Sequence, residues 1–224
     1  MRVWITRTRP GADRTAERVQ ALGHAPVTAP VLEVRRLSPD LDLGGVAALA
    51  FTSANGADAF AALSPRRDLP VYAVGAATAR AARTAGFTDV RVAAGDVARL
   101  GDLVALTRPA GAVLHAAGEP RAGDLEGALA RVGVEARTVV VYETRPAPPA
   151  PPPACEAALV HSPHAARVLA ERLDPRTAPA LLCLSPAVAA PLAAAGFARL
   201  RPAPEPTDDA LLALLPPPTL APAP

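Results

Sequence analysis

Lysine is absent from the 224-residue chain, and all 23 basic side chains are arginine. Alanine is abundant as well, so the missing lysine reads as a bias of composition rather than a functional signature. Aromatic residues make up 3% of the chain, too few for base stacking to be a main mode of ligand binding. A formal net charge of +2 gives no electrostatic footprint for nucleic acid, though it suits an acidic ligand. The two cysteines, Cys155 and Cys183, form no CxxC and no metal-ligand spacing. Cys183 sits in an apolar run and reads as a small buried hydrophobe. Before Arg7 the only apolar stretch is Val3-Trp4-Ile5, neither a secretory signal nor a membrane span. A cytoplasmic chain with reduced thiols and no membrane partner is therefore expected. There is no GxGxxG, no Walker loop and no Ser-His-Asp pattern. The four histidines (24, 115, 161 and 164) are dispersed. His161 and His164 straddle a strand-to-helix turn, which favours structural or surface roles over a metal site.

What the chain does have is a repeat. A shift of 110 positions lays Pro10 on Pro120, Gly23 on Gly133, Arg35 on Arg145 and Gly86-Phe87 on Gly196-Phe197. Val3-Trp4-Ile5 falls on Val113-Leu114-His115, and Val71-Tyr72-Ala73-Val74 on Leu181-Leu182-Cys183-Leu184. Half of the residues are apolar, enough for a globular protein, and the length suits two small domains. Two copies of one unit imply two similar lobes and a cleft, where small molecules commonly bind.

Within each copy, strand, turn and helix alternate, which implies parallel sheets built from βαβ units. Strands are expected at residues 2–6, 47–51, 71–74, 90–92 and 113–114. Helices are expected from about 11 to Leu22, then over 78–84, 101–106, 124–132 and 208–215. Residues 30–36 and 138–145 are extended, β-branched and flanked by proline. They read either as ordinary sheet strands or as a pair of connectors between lobes. Residues 146–153 are almost wholly Pro and Ala, a stiff spacer. Residues 216–224 are of low complexity and are expected to be a disordered tail.

The candidate site lies in polar turns at strand C-termini: Thr6-Arg7-Thr8, Thr52-Ser53-Ala54-Asn55, Gly75-Ala76-Ala77-Thr78, His115-Ala116-Ala117-Gly118, His161-Ser162-Pro163-His164 and Ser185-Pro186-Ala187. In an open α/β sheet these share the edge where ligands bind. Backbone N–H groups at the helix starts favour carboxylates or phosphates. Taken singly, Ser53, Thr78, Ser162 and Ser185 read equally as helix caps. Converging as a set, they point to anion binding.

Phe51-Thr52-Ser53-Ala54-Asn55-Gly56-Ala57 resembles the "FTS-x-x-A/G-V" pattern of the uroporphyrinogen-III synthase family, and Val71 to Ala79 resembles its "aVG-x-x-TA" turn. Ile5-Thr6-Arg7, Val140-Val141-Tyr142-Glu143-Thr144, Ser162-Pro163 and Thr207-Asp208-Asp209-Ala210-Leu211-Leu212 match as well. The resemblance runs from Val3 to about Leu215. It implies an α/β fold of two similar flavodoxin-like lobes with parallel sheets, joined by a two-stranded connector ladder. Lobe one would be residues 1–30 plus 146–215, lobe two residues 37–137, and the connectors 31–36 and 138–145. It implies a cofactor-free, metal-free lyase of porphyrin and haem biosynthesis. Such an enzyme closes hydroxymethylbilane, a linear tetrapyrrole, to uroporphyrinogen III with inversion of the last ring and loss of water. Tyr142 matches the family's cleft tyrosine and would act as general acid; its other reading is a packed connector aromatic with a locally bonded hydroxyl. Drawn from the strand-end turns, the expected substrate-binding set is Arg7, Thr52, Ser53, Asn55, Gly75, Ala76, Thr78, His115, Ser162, Pro163 and Ser185. A monomer is expected, with transient contact with hydroxymethylbilane synthase.

The chain departs from the family at Asn55, where Arg is frequent, at His115-Ala116 in place of Arg-Gly, and at Ala187 and Val188 in place of Thr. The reading from a different class is a non-catalytic, cytoplasmic two-lobed binding or regulatory protein for an acidic metabolite.

Overall fold

The computed structural model describes residues 1–93, 95–121 and 123–217. In chain order the elements are β1 (Arg2–Ile5), α1 (Gly11–Ala21), β2 (Ala25–Thr28), β3 (Leu32–Arg36), β4 (Val46–Phe51), α2 (Ala54–Leu63), β5 (Val71–Ala73), α3 (Ala76–Thr84), β6 (Val90–Val92) and α4 (Val97–Thr107). They continue with β7 (Ala112–Glu119), α5 (Leu125–Ala130), β8 (Ala136–Pro146), β9 (Ala157–Val160), α6 (Pro163–Arg172), β10 (Ala180–Cys183), α7 (Pro186–Ala194), β11 (Leu200–Pro202) and α8 (Asp208–Leu212). The chain divides into two compact units, Met1–Glu33 with Arg145–Pro224, and Val34–Thr144. The expected tail lies outside the described residues from 218 onward.

The first unit is a parallel sheet in the order β11-β10-β9-β1-β2. Strands covered on both faces need continuous apolar runs, and Ala157 to Val160 in β9 are all buried. On one face, Ala165, Val168 and Leu169 of α6 and Val188 and Leu192 of α7 pack on Ala158, Val160 and Leu181. On the other, Ala12 and Val19 of α1 and Leu211 and Leu212 of α8 pack on Val3, Ile5 and Leu159. The proline spacer does not hang free. Pro148 and residues 150–153 line a small apolar cavity with Trp4, Val31, Leu169 and Leu173, where Trp4 Nε1 donates to the Ala29 carbonyl at 2.6 Å.

The second unit carries the sheet β3-β8-β7-β4-β5-β6. β7 pairs parallel with β8 and β4, and β5 pairs parallel with β4 and β6. Phe60 of α2 and Ala82 of α3 cover one face, and Leu100, Val104, Leu125 and Leu129 of α4 and α5 cover the other. Phe51, Phe60 and Phe87 cluster with ring centroids 5.8–6.3 Å apart. Each such pair adds about 0.5–1.5 kcal/mol beyond its burial. Three of the chain's seven aromatics are therefore spent on one packing cluster.

The repeat is visible strand by strand. The same shift carries β1, β2, β4, β5 and β6 onto β7, the start of β8, β9, β10 and β11, and α3 onto α7. Both sheets then share the order 2-1-3-4-5, which the second unit enters at its third strand and extends with β3 outside β8. β8 is the counterpart of β2 and β3 run together into one strand. Gly23 (φ 80°) and its counterpart Gly133 (φ 72°) follow the ends of α1 and α5 in the left-handed region, where glycine carries no Cβ penalty.

Four expectations needed correction. β2 was not anticipated; it holds Pro26, which an edge strand tolerates. α4 begins at Val97, four residues early, because Asp96 accepts a hydrogen bond from the Arg99 N–H and caps it. Thr78 caps nothing: Gly75 is the N-cap of α3, and Thr78 is buried inside the helix at 5% exposure. His115-Ala116-Ala117-Gly118 is not a turn but the middle of β7, which continues to Glu119. Small Ala and Gly side chains read as loop by propensity, yet here they are paired along β8 and buried on both faces.

Candidate functional site

A 2-1-3-4-5 sheet has its topological switch point between its first and third strands, where ligands bind beyond the strand C-termini. In the second unit this is the junction of β7 and β4. β4 ends at Phe51, and Ser53, with extended backbone, caps α2 by accepting the Gly56 N–H at 3.0 Å. The Ser53 hydroxyl lies 2.7 Å from the Tyr142 hydroxyl. Thr52 Oγ1 lies 3.1 Å from His115 Nε2, and His115 Nδ1 lies 3.4 Å from Thr138 Oγ1. One polar chain thus crosses the switch point from Thr138 through His115 to Thr52, beside the Ser53–Tyr142 pair.

Two glycines make this arrangement possible by close approach. The β7–β8 register shifts between Ala117 and Gly118, so that Gly118 faces Tyr142. A bulge of this kind re-aims a side chain. A Cβ on Gly118 would lie 2.5 Å from the Tyr142 hydroxyl oxygen. A Cβ on Gly56 would lie 2.6 Å from the Ala116 carbonyl oxygen, and a backbone atom in a paired strand cannot step aside. Gly56→Ala is therefore expected to lift the start of α2 off β7 and cost about 1–3 kcal/mol, the usual range for overpacking. Urea denaturation reads the loss, and an unchanged midpoint would show that α2 shifts freely.

Burial sets the protonation states. Tyr142 is pushed above its ordinary pKa by desolvation, opposed by the Ser53 hydrogen bond, so the phenol keeps its proton at neutral pH. His115 is 3% exposed and is pushed down to about 4, chiefly by burial, with Arg121 lowering and Glu126 raising it. His161 in the first unit is also pushed down to about 4, by burial and then by Arg7, against Asp208. Both imidazoles are neutral at pH 7.

Between the ordinary value of about 6.5 and about 4, the unfolded chain binds more protons than the folded one, so stability falls as pH falls through that window. Each imidazole contributes up to about 3 kcal/mol that is present above pH 6.5 and lost by pH 4. The drop in unfolding free energy from pH 7 to pH 4.5 is expected to be smaller in His115→Gln than in the parent. Equal drops would remove His115 from the acid response.

In the first unit the switch point lies between β1 and β9. Thr6 Oγ1 donates to the Leu159 carbonyl at 2.7 Å and ties the two strands. Ser162 caps α6 by accepting the Ala165 N–H at 3.1 Å, with Pro163 in the first turn. Arg7 pairs with Asp208 at 3.1 Å, beside His161.

The remaining sequence candidates stay at strand ends without hydrogen bonds to these groups. Asn55 is in the first turn of α2, Gly75 and Ala76 open α3, and Ser185 caps α7 through the Val188 N–H. Thr138, Gly56 and Asp208 were missed as contributors, and Gly118 and His161 stood in candidate turns without being assigned to the binding set. The signals were present: Gly56 and Asp208 lie inside the quoted motifs, and His161 directly precedes Ser162. Among the described residues, no group of three or more His, Cys, Asp or Glu side chains is placed to hold a metal ion. Nor, among them, is any helix long and apolar enough to cross a membrane.

The chain thus consists of two like α/β units, each with hydroxyl, imidazole or guanidinium groups at its switch point. The chain belongs to the uroporphyrinogen-III synthase HemD family, whose sequence profile matches residues 13–213. In fold it is similar to the uroporphyrinogen-III synthetase of Helicobacter pylori 26695, at 18% identity and a TM-score of 0.68, over 95% of this chain and 96% of that one. A mutant uroporphyrinogen III synthase of Thermus thermophilus aligns at 18% identity over 95% and 96% of the two chains, with a TM-score of 0.49. No curated protein sequence matches the chain significantly.

Proposed function

We propose that this chain is a lyase that cyclises hydroxymethylbilane to uroporphyrinogen III, inverting the last pyrrole ring and releasing water. The observation that carries the reading is the family match over residues 13–213. The strand-end groups support it, because the substrate is a flexible chain of pyrroles bearing acetate and propionate arms. Helix-start amides and Arg7 suit those carboxylates. Loss of the hydroxymethyl oxygen as water needs one proton, and the protonated Tyr142 phenol, held by Ser53 at 2.7 Å, is the donor we assign. The resulting azafulvene cation is attacked by the substituted carbon of the last ring. A spiro intermediate forms, the original bond from the neighbouring ring's bridge to that carbon breaks, the ring recloses at the free α-carbon of the last pyrrole, and the proton lost there returns to the Tyr142 phenolate. Without a catalyst the ring closes without inversion, so the protein's task is to hold both ends of the substrate in one geometry.

We further propose two flavodoxin-like lobes, residues 1–30 with 146–215 and residues 37–137, linked by 31–36 and 138–145. The strand order of each sheet supports this assignment. The deciding test is a coupled assay that generates hydroxymethylbilane in place and separates the isomers of the oxidised product. Type III isomer in excess over the protein-free control is expected. Type I isomer alone would overturn the proposal and leave a binding protein.

A further inference from the structure

At the switch point of the first unit, side chains from three elements meet. Arg7 follows β1, His161 follows β9 and Asp208 opens α8. Arg7 Nη1 donates to both Asp208 carboxylate oxygens, at 3.3 and 3.1 Å. The pair faces solvent, with Arg7 29% and Asp208 41% exposed. The His161 side chain beside it is only 8% exposed, and its Nε2 lies 3.6 Å from Asp208 Oδ1, beyond hydrogen-bond reach. Neither ring nitrogen of His161 makes a hydrogen bond of normal geometry; the Leu159 carbonyl approaches the ring but already accepts from Thr6. A buried polar group left unpaired is costly and rare. The neighbouring hydroxyls do not relieve it, since Thr6 is committed to the Leu159 carbonyl and Ser162 to the Ala165 N–H.

An imidazole that is neutral and unpaired, next to a guanidinium already holding a carboxylate, is a carboxylate site with one donor unused. We infer that Arg7 and His161 form a subsite for a ligand carboxylate, and that Asp208 occupies it as a stand-in until the ligand displaces it. This rests on the reading that the substrate is a polycarboxylate tetrapyrrole. Asp208 satisfies Arg7 but is anchored at the start of α8, where Thr207 caps the Ala210 N–H, and so stops short of His161. A carboxylate on a flexible arm has no such tether and spans both donors. The exchange conserves charge. A half-exposed ion pair such as Arg7–Asp208 is screened by solvent and modest in strength, so a ligand can displace it, gaining the charge-assisted bond to Arg7 together with the His161 N–H.

The test uses glutarate, a simple dicarboxylate, titrated into the full-length protein while the His161 ring is followed by nitrogen-15 NMR. In Asp208→Asn the His161 resonances are expected to shift saturably, with a Kd about tenfold lower than in the parent, since the competing carboxylate is gone. Asp208→Ser, a residue suited to a first helical turn, gives the same reading if Asn disturbs α8. Adding Arg7→Gln to either variant is expected to abolish saturation. Equal affinities in the parent and both Asp208 variants, or saturation that survives Arg7→Gln, would overturn the inference. With hydroxymethylbilane, Arg7→Gln is expected to raise KM by about tenfold and to leave kcat within about twofold, as loss of uniform binding requires; an unchanged KM counts against the subsite. A chain that binds glutarate in this way but forms no type III product upholds the subsite and refutes the proposed reaction instead.

Discussion

Replacing Tyr142 with Phe is expected to lower kcat for hydroxymethylbilane by about 10²-fold, with little change in KM. The expectation follows from when the phenol acts. In the proposed reaction its proton is needed as the hydroxymethyl oxygen leaves, so the missing hydroxyl raises the barrier without removing a contact that holds the bound substrate. The geometry suits a donor. Tyr142 is buried and keeps its proton, and the Ser53 hydroxyl at 2.7 Å fixes the phenol's direction. Ser53 is itself fixed, because its oxygen also accepts the Gly56 N–H at 3.0 Å. General acids contribute about 10²–10⁴-fold. The lower end is expected here, since a water in the emptied hydroxyl position can partly replace the phenol. Stopped-flow measurement of product formation separates kcat from KM. A kcat within about threefold of the parent would remove Tyr142 from the reaction and leave it a packing residue.

The alternation of elements was readable in the chain because its punctuation is strong. Gly23, Gly86 and Gly196 each stand just past a helix end with positive φ, and such glycines are hard to mistake. The apolar strands at Val71 and Leu181 were equally plain, each buried on both faces. Less legible was whatever depended on distant partners. β7 outlasts its apolar run because β8 pairs with it as far as Glu119, and nothing local in Ala116-Ala117-Gly118 announces a strand. The same holds for the site. Thr52 and Ser53 stood out as a strand-end motif, but the links from Thr52 to His115, 63 residues away, and from Ser53 to Tyr142, 89 residues away, exist only once the sheet is assembled. Asp208 was visible as part of a motif, while its partner Arg7 lies 201 residues off. Burial also changed meanings. His115 reads from the sequence as a polar turn residue and is in fact a neutral core histidine joining two threonines.

Gly118→Ala is expected to match Tyr142→Phe in its loss of kcat while also lowering stability by about 1–3 kcal/mol, the cost of overpacking a filled site. The backbone of Gly118 does not need a left-handed conformation, so the cost is steric alone. An added methyl would sit 2.5 Å from both Cε2 and the hydroxyl oxygen of Tyr142, far inside contact distance. The ring must swing away, and the hydrogen bond to Ser53 is lost with it. The bulge in β8 fixes where the ring hangs, so it has no second position that keeps the bond. A double-mutant cycle tests whether the effect runs through Tyr142. In a Tyr142→Phe background the added methyl still clashes with the ring, so it destabilises as before but takes little more from kcat, because the phenol is already gone. In a Tyr142→Ala background the methyl enters the space the ring has left, and its destabilising effect is expected to vanish or reverse. Additive losses in kcat across Gly118→Ala and Tyr142→Phe, or an undiminished stability cost in the Tyr142→Ala background, would show that Gly118 serves the β7–β8 pairing and not the placement of the phenol.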